Sequence, residues 1–135
     1  PKGAAAKIGG LEIENRGAPM SLLLTSLSGE PINKTAHLLL ILSGDALNSG
    51  MTFTDDSRRE LKVLGHSPVL VEVLNVHVRL QHPSGKGWKA WALAQNGTRQ
   101  EEIPVIQKDG AIELTIQTGT FKGGPTPYFE LMERE

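Results

Sequence analysis

The sequence predicts an all-β domain, a two-sheet antiparallel β-sandwich of about eight short strands, of either the jelly-roll or the immunoglobulin-like kind. Apolar residues recur at every second position along much of the chain, which is the period of a strand and not of a helix. Fifteen Gly and eight Pro separate these runs at short intervals. The pairs Asn96-Gly97 and Asp109-Gly110 are typical of tight hairpin turns. Short strands with turn signals at this spacing indicate a sandwich or a barrel.

Nine runs have the apolar residues or the apolar-polar alternation of β-strands and are bounded by turn-forming residues. The run at residues 38–42 is apolar at every position, so we expect a central strand covered on both faces. Along residues 69–81 the apolar positions change parity near Asn75, which predicts a bulge or bend. The nine runs are residues 4–8, 11–14, 20–27, 37–43, 69–81, 88–95, 102–107, 111–118 and 128–132.

Residues 48–68 are the longest stretch without a predicted β-strand. A short helical turn is predicted at residues 54–61, with Thr54 or Asp55 as its cap. Long excursions from a β scaffold are usually functional or mobile. This excursion is therefore one of two places where we expect the scaffold to contact a ligand.

Size and composition limit the classes of protein. The 135 residues match the commonest size of one domain, so residues 1–135 are predicted to form a single domain. The chain does not begin with Met, and we expect it to be excised from a larger multidomain protein. With 14 basic and 15 acidic residues and no basic stripe, a nucleic-acid partner is not expected. No apolar run is long enough for a membrane span, so no membrane partner is expected either.

No catalytic constellation is recognisable, and we do not expect the chain to be an enzyme. It has no cysteine, and its four histidines lack the i, i+2 or i, i+4 spacing of a metal site. Most carboxylates occupy turns or outward strand positions, although Glu72 lies within an apolar run. No cofactor is predicted. The pair Asp55 and Asp56 leaves a structural calcium site open as a weak alternative.

Six aromatic residues are the candidates for a binding surface, since sugar rings stack on exposed aromatic side chains. Trp88 and Trp91 have opposite parity on one predicted strand and therefore face opposite ways. Trp88 follows a Gly-rich loop and is predicted to be exposed, whereas Trp91, between two alanines, is predicted to be core. Together with Tyr128 and Phe53, these two tryptophans are the predicted carbohydrate-binding residues.

Five short segments resemble, in order, stretches of one β-sandwich family. The segment MSLLLTSLSGEP at residues 20–31 is followed by LLLILSGDALNSGM at residues 38–51. Then come GHSPVLVE at residues 65–72, ALAQNG at residues 92–97 and TPYFE at residues 126–130. Each match is short, but together they run across almost the whole chain. They are similar to the C-terminal β-sandwich domain of bacterial (β/α)₈-barrel glycoside hydrolases.

The chain departs from this family at two positions, both in predicted turns. Ala94 stands where the family usually has Asp, and Ser49 stands where it usually has Thr. The family provides no ligand residues that can be assigned to positions of this chain.

The resemblance implies a non-catalytic carbohydrate-binding or accessory domain of a polysaccharide-degrading enzyme. Its expected partners are a polysaccharide or oligosaccharide and a catalytic barrel in the same polypeptide, in a secreted or periplasmic bacterial protein. One alternative is a purely structural sandwich that packs on the barrel. A third is a small metal-dependent enzyme that acts on polysaccharides, for which the metal ligands are unknown.

Overall fold

The computed structural model describes residues 3–134, so residues 1–2 and 135 of the predicted domain lie outside the described part. The chain is all-β with antiparallel sheets, and the one helical segment among the described residues is the short 3₁₀ turn Thr118–Thr120. No helix within residues 3–134 has the length and hydropathy of a membrane span. The strands are β1 (Ala5–Ile8), β2 (Leu11–Asn15), β3 (Ser21–Ser26), β4 (His37–Ser43), β5 (Ala46–Ser49), β6 (Thr52–Phe53), β7 (Leu61–Val63), β8 (His66–Val71), β9 (Asn75–Gln81), β10 (Trp88–Leu93), β11 (Arg99–Ile103), β12 (Ile106–Lys108), β13 (Ala111–Gln117) and β14 (Tyr128–Glu133).

Ten of these strands form two five-stranded sheets, which we call the body. The first sheet has the strand order β1-β2-β9-β13-β12, and the second sheet has the order β11-β10-β14-β4-β3. Consecutive side chains of a strand point to opposite faces, and in β4 and β9 every second residue is buried. Buried residues of both sheets form one cluster, in which Leu38 and Leu40 of β4 join Val76 and Val78 of β9. The body is thus β-sandwich-like, with one shared hydrophobic core.

Both predicted hairpins are present, but only Asp109-Gly110 is a two-residue turn, since residues 94–98 separate β10 from β11. Asn96-Gly97 connects β10 to β11, and Gly97 has a φ of 82°, a conformation that Gly adopts without steric cost. Asp109-Gly110 connects β12 to β13, with positive φ at both residues. Positive φ at both central residues is the requirement of a type I′ turn, whose twist matches that of the flanking strands.

The strand count and the excursion were predicted wrongly. Residues 3–134 contain 14 strands rather than about eight, and four of them, β5 to β8, lie in or beside residues 48–68, where no strand was expected. The helical turn predicted at residues 54–61 is absent, because residues 54–60 connect β6 to β7 and Leu61 begins β7. Residues 69–81 are two strands that belong to different sheets, and not one bulged strand.

Residues 45–72 form an antiparallel ribbon, which we call the arm. Within it β5 pairs with β8 and β6 pairs with β7, and these strands make their extensive contacts with each other. At its base the Glu72 amide donates to the Asp45 carbonyl at 2.9 Å, and the Asp45 amide donates to the Glu72 carboxylate at 3.2 Å. No residue from 43 to 73 is buried. The arm therefore adds nothing to the core of the body.

Candidate functional site

The outer face of the second sheet brings two of the predicted aromatic residues together. Trp91 on β10 stands opposite Glu130 on β14, and Tyr128 lies two residues before Glu130 on the same strand. Residues two apart share one face of a strand, so Trp91 and Tyr128 are diagonal neighbours. Both side chains are half-buried. They face away from the core because the alternating residues Ala90 and Phe129 are fully buried.

Three polar side chains are hydrogen-bonded to one another on this face. Arg99 Nε donates to Glu130 Oε2 at 2.6 Å, and His37 Nε2 lies 2.7 Å from Glu130 Oε1. The Arg99 hydrogen bond holds the pKa of the Glu130 carboxyl below its ordinary value; burial opposes this shift, and His37 adds to it. Glu130 is therefore held as a carboxylate between two donors, although its side chain is only 14% exposed.

Arg99 also covers part of Trp91. Its guanidinium carbon lies 3.8 Å from the centroid of the indole ring, which is the geometry of a cation–π contact. The guanidinium is thus held from two directions, by the ring below it and by Glu130 beside it. We call Trp91, Tyr128, Arg99, Glu130 and His37 the aromatic face.

The aromatic face continues onto an aliphatic surface. Tyr128 stands opposite Ile41 on β4, and Ile41 stands opposite Leu23 on the edge strand β3. Ile41 is half-buried and Leu23 is exposed. The outer face of the second sheet therefore runs from a charged and aromatic end at β11 to an aliphatic end at β3.

The prediction that Trp88 is exposed is wrong. Trp88 is only 3% exposed, and its ring packs edge-on against His82 at a centroid distance of 4.8 Å. The opposite orientation of the two tryptophans was correctly predicted, but the faces were assigned the wrong way round. Ala90 and Ala92 are themselves buried, so Trp91 between them must point outward and Trp88 must share their inward face. The small alanine side chains leave space in the core for the indole of Trp88.

Phe53 lies on the arm and not on the aromatic face. It is half-buried, and the guanidinium carbon of Arg58 lies 5.9 Å from its ring centroid. Arg58 also forms a hydrogen-bonded ion pair with Asp45. The hydrogen bond from Arg58 lowers the pKa of the Asp45 carboxyl. Phe53 and Arg58 thus belong to contacts within the arm.

The outer face of the first sheet is ion-paired. Arg79 Nε donates to Glu113 at 2.9 Å, and another nitrogen of Arg79 lies 3.5 Å from Glu12. Lys7 completes the row with a 2.8 Å contact to Glu12. Acidic and basic groups alternate across β1, β2, β9 and β13, so this face presents no cluster of one sign of charge.

Sequence reasoning missed Arg99, Glu130 and His37. They lie on three different strands and far apart along the chain, so no spacing rule relates them. The one available signal was Glu130, a carboxylate between Phe129 and Leu131 in an apolar run.

Within residues 3–134, no three His, Asp or Glu side chains are placed so that they could hold a metal ion together. Comparison of the chain with protein-family models, curated proteins and solved structures finds no match.

Proposed function

We propose that this chain is a non-catalytic carbohydrate-binding or accessory domain, and that the aromatic face is its glycan-binding surface. The observation that carries this proposal is that Trp91 and Tyr128 lie on neighbouring strands at the outer face of one sheet, beside a hydrogen-bonded polar cluster. We also infer that the two sheets form a two-sheet sandwich of the jelly-roll or immunoglobulin-like kind. The cluster of buried residues that both sheets share supports this inference.

The chemistry of the aromatic face suits a sugar chain. Aromatic side chains offer the apolar faces of sugar rings a large, rigid contact surface. Arg99 has five N–H donors, and its hydrogen bond to Glu130 leaves others available for hydroxyl groups. Because the guanidinium is already held by Trp91 and Glu130, binding costs little side-chain entropy. A glycan would contact the guanidinium plane, the open edge of the indole and the Tyr128 ring.

The wider setting of the domain rests on the sequence resemblance. The segments that resemble the accessory sandwich of bacterial (β/α)₈-barrel glycoside hydrolases support a polysaccharide or oligosaccharide ligand. They also support a catalytic barrel in the same polypeptide and a secreted or periplasmic location.

A structural accessory role is the second candidate, and a specific observation favours it. The most exposed apolar side chains are aliphatic, and many of them lie on the arm, whereas none of the aromatic side chains is fully exposed. Aliphatic patches of this kind mark protein contacts more often than sugar contacts. In this role the domain would pack on a neighbouring protein surface such as the barrel. The third alternative, a metal-dependent enzyme, gains no support from the described residues.

Affinity electrophoresis against a panel of plant polysaccharides tests the proposal. We expect retardation by at least one polysaccharide, and Trp91→Ala and Tyr128→Ala should each weaken it at least about tenfold, a loss of roughly 1.4 kcal/mol. Ile106→Ala is the matched control, because Ile106 is also an exposed apolar residue but lies on an edge strand of the first sheet.

Thermal unfolding of each variant establishes that the fold is retained. Retardation by none of the polysaccharides, or retardation that both aromatic substitutions leave unchanged, would contradict glycan binding at this face.

A further inference from the structure

The arm exposes apolar side chains on both of its faces. Leu61, Val63, Leu64, Val69, Leu70 and Val71 are each about half exposed or more. In β8 all six residues are exposed, and neighbouring residues of a strand point to opposite faces. An isolated two-stranded ribbon is marginally stable in water, and apolar patches of this extent mark interaction sites. The arm therefore needs a protein surface to cover it.

The body has an open apolar groove between the edges of its two sheets. The groove has a volume of about 600 Å³ and separates edge strand β3 from β1 and β2. It contains no charged residue, and none of the residues that line it belongs to the arm. Its apolar lining residues include Ile8, Leu11, Ile13, Leu22, Leu24 and Leu80.

The arm and the groove match in chemistry. Residues 63–71 of the arm carry no Asp, Glu, Lys or Arg, which suits a groove without charges. A charged strand would lose its hydration there without gaining a partner. The groove is also bordered by β1 and β3, each of which has one side without a strand neighbour in its sheet. Such edges are templates for pairing with an incoming strand.

Both unpartnered apolar surfaces occur on the same chain. The exposed apolar residues of the arm and the residues that line the groove are separate sets. The arm leaves the groove of its own chain open, so contact between copies covers both apolar surfaces at once. A different partner would have to cover two separate surfaces of this chain.

We propose that this chain associates head to tail, with the arm of one copy seated in the groove between β1 and β3 of the next. The occupant of the groove is the strand β8 of a second copy, with the face that carries Leu70 against the groove wall. The two contacting surfaces are different, so each copy retains a free arm or a free groove after one contact. Contacts of this heterologous type form rings or open filaments and not only dimers.

Sedimentation velocity over a wide range of protein concentration tests this proposal. The intact chain should form a concentration-dependent series of oligomers. Leu70→Lys on the arm and Ile8→Lys on the groove should each weaken association at least about tenfold, because each would bury an unpaired ammonium group. Leu70 is 56% exposed and Ile8 is 70% exposed, so neither substitution disturbs the core.

The control is Ile106→Lys, which places the same charge at a side chain that is 60% exposed but lies outside both the arm and the groove. This variant should associate like the unaltered chain. Equal loss of association in the control would overturn the proposal, since the effect would then be one of charge alone.

Mixing the two variants gives the most selective test. The Leu70→Lys copy keeps an intact groove, and the Ile8→Lys copy keeps an intact arm. An equimolar mixture should therefore form heterodimers and no larger species, although each variant alone is monomeric.

Two results would overturn the proposal. The first is a chain that is monomeric at every concentration, which would assign the arm to a different protein. The second is an Ile8→Lys variant that still dimerises, which would show that arm pairs with arm. Neither result depends on whether the aromatic face binds a glycan.

Discussion

Strands β4 and β8 are similar in chemistry and opposite in burial. Both begin with His and contain a run of Leu, Val or Ile, at residues 38–42 in β4 and 69–71 in β8. Yet in β4 three of seven residues are buried, and in β8 all six are exposed. The difference lies in their neighbours. β4 has a strand on each side and shares a buried cluster with residues of the other sheet, whereas β8 has only β5 beside it. An apolar strand is thus not evidence of a core position, because a partner outside the chain can provide the same cover.

The largest predicted effect tests this contrast directly with one substitution at two sites. Leu40→Ala in β4 should lower the free energy of unfolding by about 2–5 kcal/mol, because Leu40 is 1% exposed and its removal leaves a cavity. Leu70→Ala in β8 should change it by no more than about 0.5 kcal/mol. Urea denaturation at low protein concentration measures both values without a contribution from self-association. Equal losses would mean that the arm packs on the body within a single chain.

The boundary between arm and body should show an intermediate effect. Leu74, the first buried residue after the arm, donates its amide to Thr118 Oγ1 at 2.8 Å. Thr118→Val keeps the side-chain shape but leaves this buried amide without an acceptor, at a cost of roughly 1–3 kcal/mol. Thr115→Val is the matched control on the preceding strand β13, since Thr115 is exposed.

Hydrogen exchange at the Leu74 amide locates the effect. Faster exchange in Thr118→Val but not in Thr115→Val is expected, and unchanged exchange in both would show that the hydrogen bond does not anchor the end of the arm.

The smallest predicted effect is the pH dependence of stability, which should differ between a carboxylate of the body and a carboxylate of the arm. The folded-state pKa of Glu130 lies below its unfolded value, chiefly because of Arg99. The stability from this carboxylate is therefore present above the unfolded pKa and is lost as pH falls through the folded pKa. Asp45 on the arm has a lowered pKa as well, but it is exposed and its ion pair is screened by solvent.

Denaturation between neutral and acidic pH compares the two groups. Glu130→Gln should remove part of the acid-induced loss of stability, whereas Asp45→Asn should leave the pH profile nearly unchanged. An equal flattening in both variants would contradict the difference between a body carboxylate and an arm carboxylate.

Local sequence signals predicted the body well and the arm poorly. The alternation of Ile112, Leu114 and Ile116 with polar residues matches the burial of β13, since one face of that strand lies in the core. The hairpins at Asn96-Gly97 and Asp109-Gly110 were predictable because turn geometry depends on a few adjacent residues. The arm was missed because its strands have only two to six residues, because Ser67-Pro68 interrupts β8, and because residues 54–60 between β6 and β7 are mostly polar or charged.

The aromatic face was half predictable. Trp91 and Tyr128 were among the predicted residues, but Trp91 was assigned to the core and Trp88 to the surface. Strand parity separates two faces without saying which one is inside. Arg99, Glu130 and His37 were not predictable as a group, because the order of strands in the second sheet brings them together.

The sequence by itself determined the all-β class, the antiparallel hairpins and the alternation of the body strands. These depend on interactions between residues that are near one another along the chain. Only the tertiary structure decided which tryptophan is buried, which polar groups meet at the aromatic face, and that residues 45–72 leave the body as an arm. Those outcomes depend on how distant strands pair, and the pairing is set by the packing of the whole core.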